Sequence, residues 1–318
     1  MSLVVVGSVA FDAVETPFGH RERILGGAAT HFSLAASFFT DVRVVGVVGD
    51  DFGEEELAVF RRPHIDTEDL ERVDGGKTFF WAGRYDWDLN TAHTLETDLN
   101  VFADFRPKLS KASRAARTLF LANIQPDLQR EVREQCGAAS FVGLDSMNYW
   151  IDTARDSLFE TISCVDAVLL NDSEVRMLTG EASLARAAKE LRRRGPSVVV
   201  CKEGEYGAAV FTDDGVFSLP GYPLETAVDP TGAGDAFAGG FFGYLASRAP
   251  EPLTDSALRC ATVYGSVLGS FNVEGFGTER IQRLTSADIS TRFDEFKRLT
   301  HFEPLPAVGP RRDIPAVA

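Results

Sequence analysis

Short runs of uninterrupted apolar residues recur along the chain and alternate with segments of helical periodicity. An apolar run that ends at a glycine, as residues 3–6 do before Gly7, is typical of a parallel strand covered by helices on both faces. The alternation predicts a three-layer α/β/α fold with a mostly parallel central sheet. The predicted strands are residues 3–6, 42–48, 118–121, 141–144, 167–170 and 198–201, and the predicted helices are residues 28–39, 127–136, 154–162, 173–178 and 183–194.

One region, at about residues 66–98, interrupts this alternation. It carries strand-forming residues around a turn at Asp74-Gly75-Gly76, and no helical segment lies between them. We expect a small β-strand lid inserted into one main domain of residues 1–303, whose aromatic residues form either a minor core or a cover over a ligand. A β meander at residues 208–219 and two helices at 232–247 and 253–270 follow, and the proline-rich tail of residues 304–318 is expected to be irregular.

The balance of charge narrows the range of partners. The 318 residues include 32 Lys and Arg against 47 Asp and Glu, a net charge of −15. Such a field repels polyanions, so neither nucleic acid nor an acidic membrane surface is an expected partner. No apolar run approaches the ~18 residues of a membrane-spanning helix. The start of the chain lacks the pattern of a signal peptide, and the four cysteines form no C-x-x-C pair, so a cytoplasmic location is predicted.

The most informative stretch is residues 229–241, in which glycines and small residues precede a helical run. Backbone N–H groups at the start of a helix, together with the helix dipole, favour the binding of an anion. We therefore expect the amides of Gly232, Ala233 and Gly234 to form an anion hole. Asp235 follows directly, where the next amides are expected to keep its carboxylate ionised. A base beside an anion cradle is what phosphoryl transfer to an alcohol requires. The competing interpretation is a helix start whose glycines serve close packing.

This stretch resembles the C-terminal signature of the ribokinase-like, or PfkB, family of carbohydrate kinases, in which the last aspartate is the base and G-A-G is the anion hole. Three further segments, residues 7–12, 25–31 and 46–53, resemble family motifs in the same order, so that the resemblance covers nearly the whole chain. It implies that Asp12 binds substrate hydroxyls and that Gly26, Gly27 and His31 form the substrate motif. His31 stands where related kinases often have asparagine, which leaves the identity of the substrate open.

The resemblance also implies a nucleotide side that binds ATP. Asn171 and Glu174 are similar to the N-x-x-E motif that organises Mg²⁺, with Glu174 acting through water, and oxygen ligands suit this ion. Taken alone, Ser173 and Glu174 at a helix start are also typical of helix capping. Lys202, Gly204 and Gly207 resemble the nucleotide loop, in which Lys202 adds a positive charge toward the phosphates, although the glycines also suit a tight turn. The family further suggests a K⁺ site at Asp229 and Thr231.

Several other classes of site are not expected. Gly76-Lys77-Thr78 lacks the preceding glycine of a phosphate-binding P-loop. The first strand is not followed by G-x-G-x-x-G, so NAD is not expected as a cofactor. The five histidines show no metal-ligand spacing. The leading hypothesis is a kinase that phosphorylates a primary hydroxyl of a sugar. One alternative is a nucleoside kinase, in which a base of the substrate would stack on the lid aromatics Phe79, Phe80, Trp81, Tyr85 and Trp87. The other is a non-catalytic binding protein, and pairing of two copies through the lid is left open.

Overall fold

The computed structural model describes residues 2–301, and the predicted tail of residues 304–318 lies outside them. The main sheet has ten strands in the order β14-β13-β12-β11-β10-β9-β1-β4-β5, with β6 paired to β4. All neighbours are parallel except at the β12-β13-β14 edge. Its strands are β1 Ser2–Val6, β4 Asp41–Val48, β5 Ile65–Asp66, β6 Leu70–Arg72, β9 Thr118–Leu121, β10 Phe141–Leu144, β11 Ala167–Asn171, β12 Val198–Lys202, β13 Ala208–Phe211 and β14 Val216–Leu219.

Helices cover both faces of this sheet, as the apolar strand runs predict, so the three-layer α/β/α fold is confirmed. Two separate apolar clusters lie on the two faces, and each contains alternate residues of the same strands, such as Val4 and Val6 on one face and Leu3 and Val5 on the other. The helices are α1 Ala28–Ala36, α2 Glu54–Phe60, α3 Lys111–Arg114, α4 Pro126–Gln135, α5 Asn148–Thr153, α6 Arg155–Ile162, α7 Asp172–Thr179, α8 Leu184–Arg192, α9 Ala233–Arg248, α10 Asp255–Asn272, α11 Glu279–Gln282 and α12 Ser286–Thr300.

A second sheet of four strands, in the order β3-β2-β7-β8, contains part of the predicted β lid and is called the lid sheet, or lid, below. Its strands are β2 Ala10–Thr16, β3 Gly19–Gly26, β7 Phe79–Tyr85 and β8 Ala92–Asp98. Half of this lid therefore comes from residues 10–26, which the sequence pattern did not assign to it. Residues 65–72 instead join the main sheet as β5 and β6. The central pair of the lid, β2 and β7, is parallel, and the outer strands β3 and β8 are antiparallel to them.

Close packing of α1 against α9 brings two of the predicted motifs together. A Cβ atom at Gly239 in α9 would lie only 2.3 Å from the carbonyl oxygen of Phe32 in α1, so the two helices approach backbone to backbone. His31, which precedes Phe32, consequently lies beside the N-terminus of α9. No helix among residues 2–301 is long and apolar enough to cross a membrane.

Candidate active site

The turn before α9 has the geometry of an anion cradle. Gly232 is the N-cap of α9 and has φ 75° and ψ 0°, the left-handed conformation that glycine adopts without strain. Asp229, which is fully buried, holds the turn from both sides: its Oδ1 accepts the N–H of Thr231 at 2.9 Å and its Oδ2 accepts the N–H of Gly277 at 2.8 Å. The amides at the start of α9 are thus fixed at one end of the helix, as an anion site requires.

Asp235 lies in the first turn of α9 and is half-buried. Burial, together with the charge of Asp145 and against the opposing effect of Lys202, raises the pKa of Asp235 to about 7. The neighbouring amides, which were expected to favour the ionised form, therefore do not outweigh the effect of burial on this pKa. A pKa near neutrality suits a general base, which must be largely deprotonated at the working pH and still take up a proton.

Lys202 and Asp145 form a buried ion pair next to this base. The Nζ atom of Lys202 lies 2.6 Å from Oδ2 of Asp145, and the two side chains are only 15% and 6% exposed. Burial lowers the pKa of Lys202. The negative charges of Asp145 and then of Glu174 raise it by more, so the net shift of the pKa is upward. The same ammonium group lies about 3.1 Å from the position that a Cβ atom at Gly234 would occupy. Lys202 therefore places a persistent positive charge at the anion cradle.

Asn171 and Glu174 serve α7 as a reciprocal cap. The N–H of Asn171 donates to Oε2 of Glu174 and the N–H of Glu174 donates to Oδ1 of Asn171, each at 2.8 Å. Capping is thus present in the structure, with Glu174 as expected and with Asn171, not Ser173, as the N-cap residue. Glu174 also faces the ion pair: burial and then Asp145 raise its pKa to about 7, while Lys202 acts in the opposite direction. Its carboxylate therefore belongs to the same cluster of charges as Asp235.

Asp12 enters the site from the lid strand β2 and is 5% exposed. Its carboxylate lies against Gly26, where a Cβ atom would come within 1.9 Å of Oδ2, and it accepts a hydrogen bond from the N–H of Gly27. Burial, followed by the charges of Asp229 and Asp235, raises the pKa of Asp12 to about 8. At neutral pH the free carboxyl therefore holds its proton and offers both a donor and acceptors to a hydroxyl.

His31 is fully buried and belongs to the anion turn as much as to the substrate motif. Its Nδ1 lies 2.9 Å from Oδ1 of Asn272, and Nδ2 of Asn272 donates to the carbonyl oxygen of Thr231 at 2.8 Å. Because the amide oxygen of Asn272 can only accept, Nδ1 of His31 carries a proton. Burial lowers the pKa of His31, so the ring is neutral and its Nε2, which is buried without a partner in the described structure, is an acceptor.

One hydrogen bond joins the lid sheet to the turn before α9, and the tip of the β7-β8 hairpin approaches the predicted nucleotide loop. The hydroxyl of Thr231 donates to the hydroxyl oxygen of Tyr85 in β7 at 3.1 Å. Burial raises the pKa of Tyr85, so this hydroxyl remains protonated. At the tip of the β7-β8 hairpin, Oδ1 of Asn90 lies 3.9 Å from the position of a Cβ atom at Gly204, in the predicted nucleotide loop. Gly207 ends that loop with φ 111°.

The predicted motifs thus converge, and the structure adds three residues to them. The carboxyl ends of β10, β11 and β12 present Asp145, Asn171 and Lys202 side by side. Asp145 could have been found by the rule that ligands bind beyond the carboxyl ends of parallel strands, because it directly follows a predicted strand. Tyr85 was expected only as a lid aromatic that could stack on a base, and Asn272 carried no comparable signal, since it reaches the site from an element distant in sequence.

These features define a phosphotransferase site in an α/β fold, and comparison with known proteins agrees. Residues 2–282 match the pfkB family of carbohydrate kinases. The chain belongs to this family and is an ATP-dependent phosphotransferase.

Individual relatives differ in the acceptor that their names state. The cytidine kinase of Thermococcus kodakarensis is 31% identical over 258 residues, which cover 79% of this chain and 91% of the relative. The nucleoside kinase of Methanothermobacter thermautotrophicus is 27% identical over 308 residues, covering 87% and 91%. The structure of Vibrio cholerae fructokinase with fructose, ADP and calcium has a TM-score of 0.75 at 17% identity and covers 92% of this chain and 98% of its own. The last likeness concerns the fold alone.

Proposed function

We propose that the protein transfers the γ-phosphoryl group of MgATP to a primary hydroxyl of a sugar or of a small molecule that contains a sugar. The observation that carries this proposal is the position of Asp235. It is a carboxylate with a pKa of about 7, at the start of α9, between the amides of the anion turn and a buried lysine. Proton abstraction beside a developing anion uses all three features: a base with a pKa near neutrality, amides that donate to the anion, and a positive charge.

Each group then has a role in one reaction. Asp12, Gly27 and His31 bind and orient the acceptor so that its hydroxyl faces Asp235. The carboxylate of Asp235 takes the hydroxyl proton, the acceptor oxygen forms a bond to the γ-phosphorus, and the bond from that phosphorus to the β–γ bridging oxygen breaks to release ADP. The amides of residues 232–234 and the ammonium group of Lys202 stabilise the charge on the transferring group.

We assign the magnesium ion to the Glu174 side of the cluster. When bound with the nucleotide, Mg²⁺ offsets charge on the phosphate oxygens. Among residues 2–301 no group of three or more His, Cys, Asp or Glu side chains forms a preformed metal cage. This agrees with an ion that keeps several waters and is held mainly by substrate phosphates. Oε2 of Glu174 is used by the helix cap, so Oε1 is the oxygen that would bind a metal-bound water.

The K⁺ site at Asp229 and Thr231 remains a proposal. Both carboxylate oxygens of Asp229 accept backbone N–H groups, which gives this residue a role in shaping the turn whether or not a cation binds. The proposal is tested by comparing kcat in K⁺ and in Na⁺ buffers.

We also propose that the second sheet acts as a lid that excludes water during transfer. Its support is the hydrogen bond between Thr231 and Tyr85 and the approach of Asn90, at the tip of the β7-β8 hairpin, to Gly204. All seven residues of the outer strand β8 are exposed, so this edge is the place where two copies would pair if the protein is a dimer. Light scattering of the purified protein distinguishes one copy from two.

Asp235→Asn is the decisive test of the reaction. The amide keeps the size of the side chain and cannot take the proton, so kcat should fall by a factor of ~10² to 10⁴ while ATP binding is retained. ADP release measures the first quantity and calorimetric titration the second. Asp255→Asn is the matched control, because Asp255 lies in the first turn of the neighbouring α10 and forms an exposed ion pair with Arg259. Equal turnover in both variants would remove Asp235 from the mechanism and favour a non-catalytic binding protein.

A further inference from the structure

Trp81 lies on the face of the lid sheet that carries the acceptor-binding carboxylate. In the parallel pair of β2 and β7, Trp81 is directly opposite Asp12 and Gly83 is opposite Val14. Paired residues on neighbouring strands point to the same face, and alternate residues along one strand do so as well. Trp81, Gly83 and Tyr85 therefore share a face with Asp12. Because Tyr85 and Asp12 both face the anion turn, this is the acceptor side of the lid.

The indole of Trp81 is held flat on this face. A Cβ atom at Gly83 would lie 2.1 Å from Cη2 and 2.4 Å from Cζ2 of Trp81, so the ring covers Gly83 and only glycine fits beneath it. At the far edge, Nε1 donates to the hydroxyl oxygen of Thr94 on β8 at 3.2 Å. With its edge fixed and one face packed on the strand, the indole leaves the other face available, and the residue is only half-buried.

Three other aromatic residues of the lid region differ from Trp81 in their contacts or exposure. Phe79 stacks on Phe102 with ring centroids 5.4 Å apart, which is the minor core that the sequence allowed. Tyr85 is engaged with Thr231, and Trp87, at the hairpin before β8, is 86% exposed. Trp81 is therefore the aromatic residue of β7 that combines a fixed orientation, a half-open ring face and a position next to the acceptor carboxylate.

We propose that the indole of Trp81 is the platform on which a heterocyclic base of the acceptor stacks, so that the preferred acceptor is a nucleoside rather than a free sugar. This inference rests on the proposed function, because it assumes that the sugar part of the acceptor lies at Asp12. Neighbouring strands are about 4.8 Å apart, so a base bonded to a sugar at Asp12 on β2 comes within stacking reach of Trp81 on β7. A free sugar ends before the indole and leaves its face in contact with water.

Aromatic platforms of this kind are tolerant of the identity of the base, because every base has a π face. Stacking on Trp81 would therefore select nucleosides as a class and would not by itself select one nucleoside. The relatives named cytidine kinase and nucleoside kinase are consistent with this class.

The test compares nucleosides with a sugar that has the same hydroxymethyl group. Initial rates with cytidine, uridine, adenosine and inosine are measured beside D-ribose, with MgATP saturating, in the wild type, Trp81→Ala and Trp81→Phe. We expect kcat/KM to favour at least one nucleoside over ribose in the wild type. Trp81→Ala should reduce this preference by about 5- to 100-fold, the usual effect of removing one stacking partner, mainly through KM. Trp81→Phe should restore most of it.

Two further variants separate this role from a general effect on folding. Gly83→Ala keeps the tryptophan but pushes the indole off the strand, so it should lower the same preference. Trp87→Ala removes the exposed tryptophan of the same lid and should leave the preference unchanged. Equal use of ribose and nucleosides by the wild type, or an unchanged preference in Trp81→Ala, overturns the inference while leaving the kinase reaction in place. Absence of transfer to any acceptor, with Asp235→Asn indistinguishable from the wild type, would instead overturn the proposed function.

Discussion

Asp145 shows how a single residue can set the pH at which the proposed base works. Its charge raises the pKa of Asp235, and it also holds Lys202, whose charge lowers that pKa. Removing the charge of Asp145 eliminates the repulsion and leaves the lysine without its carboxylate. Both changes stabilise the ionised form of Asp235, so their effects add.

We therefore predict that Asp145→Asn moves the acidic limb of the pH profile to lower pH. A base must be deprotonated to act, so kcat/KM of the wild type should rise with pH through about 7 and then level off. In Asp145→Asn the pKa of Asp235 falls, and the midpoint of that rise should shift downward. Glu174 shifts in the same direction, because Asp145 also raises its pKa. Asp214→Asn, at the exposed turn between β13 and β14, is the control; a midpoint that stays in place or rises in Asp145→Asn contradicts the assignment.

For single residues, the sequence alone predicted those proposed site residues that are contiguous in the chain. Asp235 and the amides before it are contiguous, so glycines ahead of a helical run were enough to predict them. The roles of His31 and Asp12 needed the fold. His31 is a positioning residue as well as a ligand candidate, because its partner Asn272 is 241 residues away. No local pattern can reveal such a pair.

The helix start at Gly232 combines two requirements for glycine in one element. The residue has φ 75°, and a Cβ atom there would lie 2.4 Å from the ring of His31. Gly180, which ends α7, has φ 72° and ψ 9° but nothing within 4 Å of the position of its Cβ. The two glycines share a backbone conformation and differ in their surroundings.

We predict that Gly232→Ala and Gly180→Ala both lower stability but differ in activity. The left-handed conformation costs a residue with a side chain about 1 to 2 kcal/mol, so thermal unfolding should show a loss of this size in each variant. Gly232→Ala must also displace His31 and with it the anion turn, so its kcat should fall by at least about tenfold, as small misplacements of reacting groups commonly cause. Gly180→Ala should keep normal kcat. Normal turnover in Gly232→Ala would show that the turn is not part of the phosphate site.

Among the elements, the buried parallel strands were predicted within one or two residues, and the lid was not. A strand covered on both faces appears as an uninterrupted apolar run, so β1, β4 and β9 to β12 are visible locally. Seven of the eight residues of β3 are partly or fully exposed, so this strand lacks an apolar run. Its neighbour β2 pairs in parallel with β7, more than 60 residues later. That pairing is a property of the tertiary fold. For this reason the predicted range of residues 66–98 missed β2 and β3, which form half of the sheet.

For the whole molecule, the arrangement of two sheets explains how water can be kept from the reaction. In the proposed mechanism, the carboxyl edge of the main sheet supplies Asp145, Asn171 and Lys202, and the second sheet supplies Asp12, Tyr85 and Trp81. The acceptor would lie between these two groups, so the proposed site would be complete only when the second sheet is closed over it. A kinase has to favour its bound hydroxyl over water as the acceptor, and closure achieves this by excluding water. The net charge of −15 makes the local positive charge of Lys202 more important for binding a nucleotide.

The hydrogen bond from Thr231 to Tyr85 is the contact that joins the lid to the anion turn, so its loss should weaken closure. We predict that Tyr85→Phe raises ATP hydrolysis in the absence of an acceptor, relative to phosphoryl transfer, by about 2- to 10-fold. This range corresponds to the usual net contribution of one hydrogen bond, ~0.5 to 1.5 kcal/mol. Phosphate release without acceptor and ADP release with acceptor measure the two rates. Tyr149→Phe, on the exposed surface of α5, is the matched control. If the rates of transfer and of hydrolysis fall by the same factor in Tyr85→Phe, the tyrosine contributes to the turn itself. In that case the second sheet does not act as a lid through this hydrogen bond.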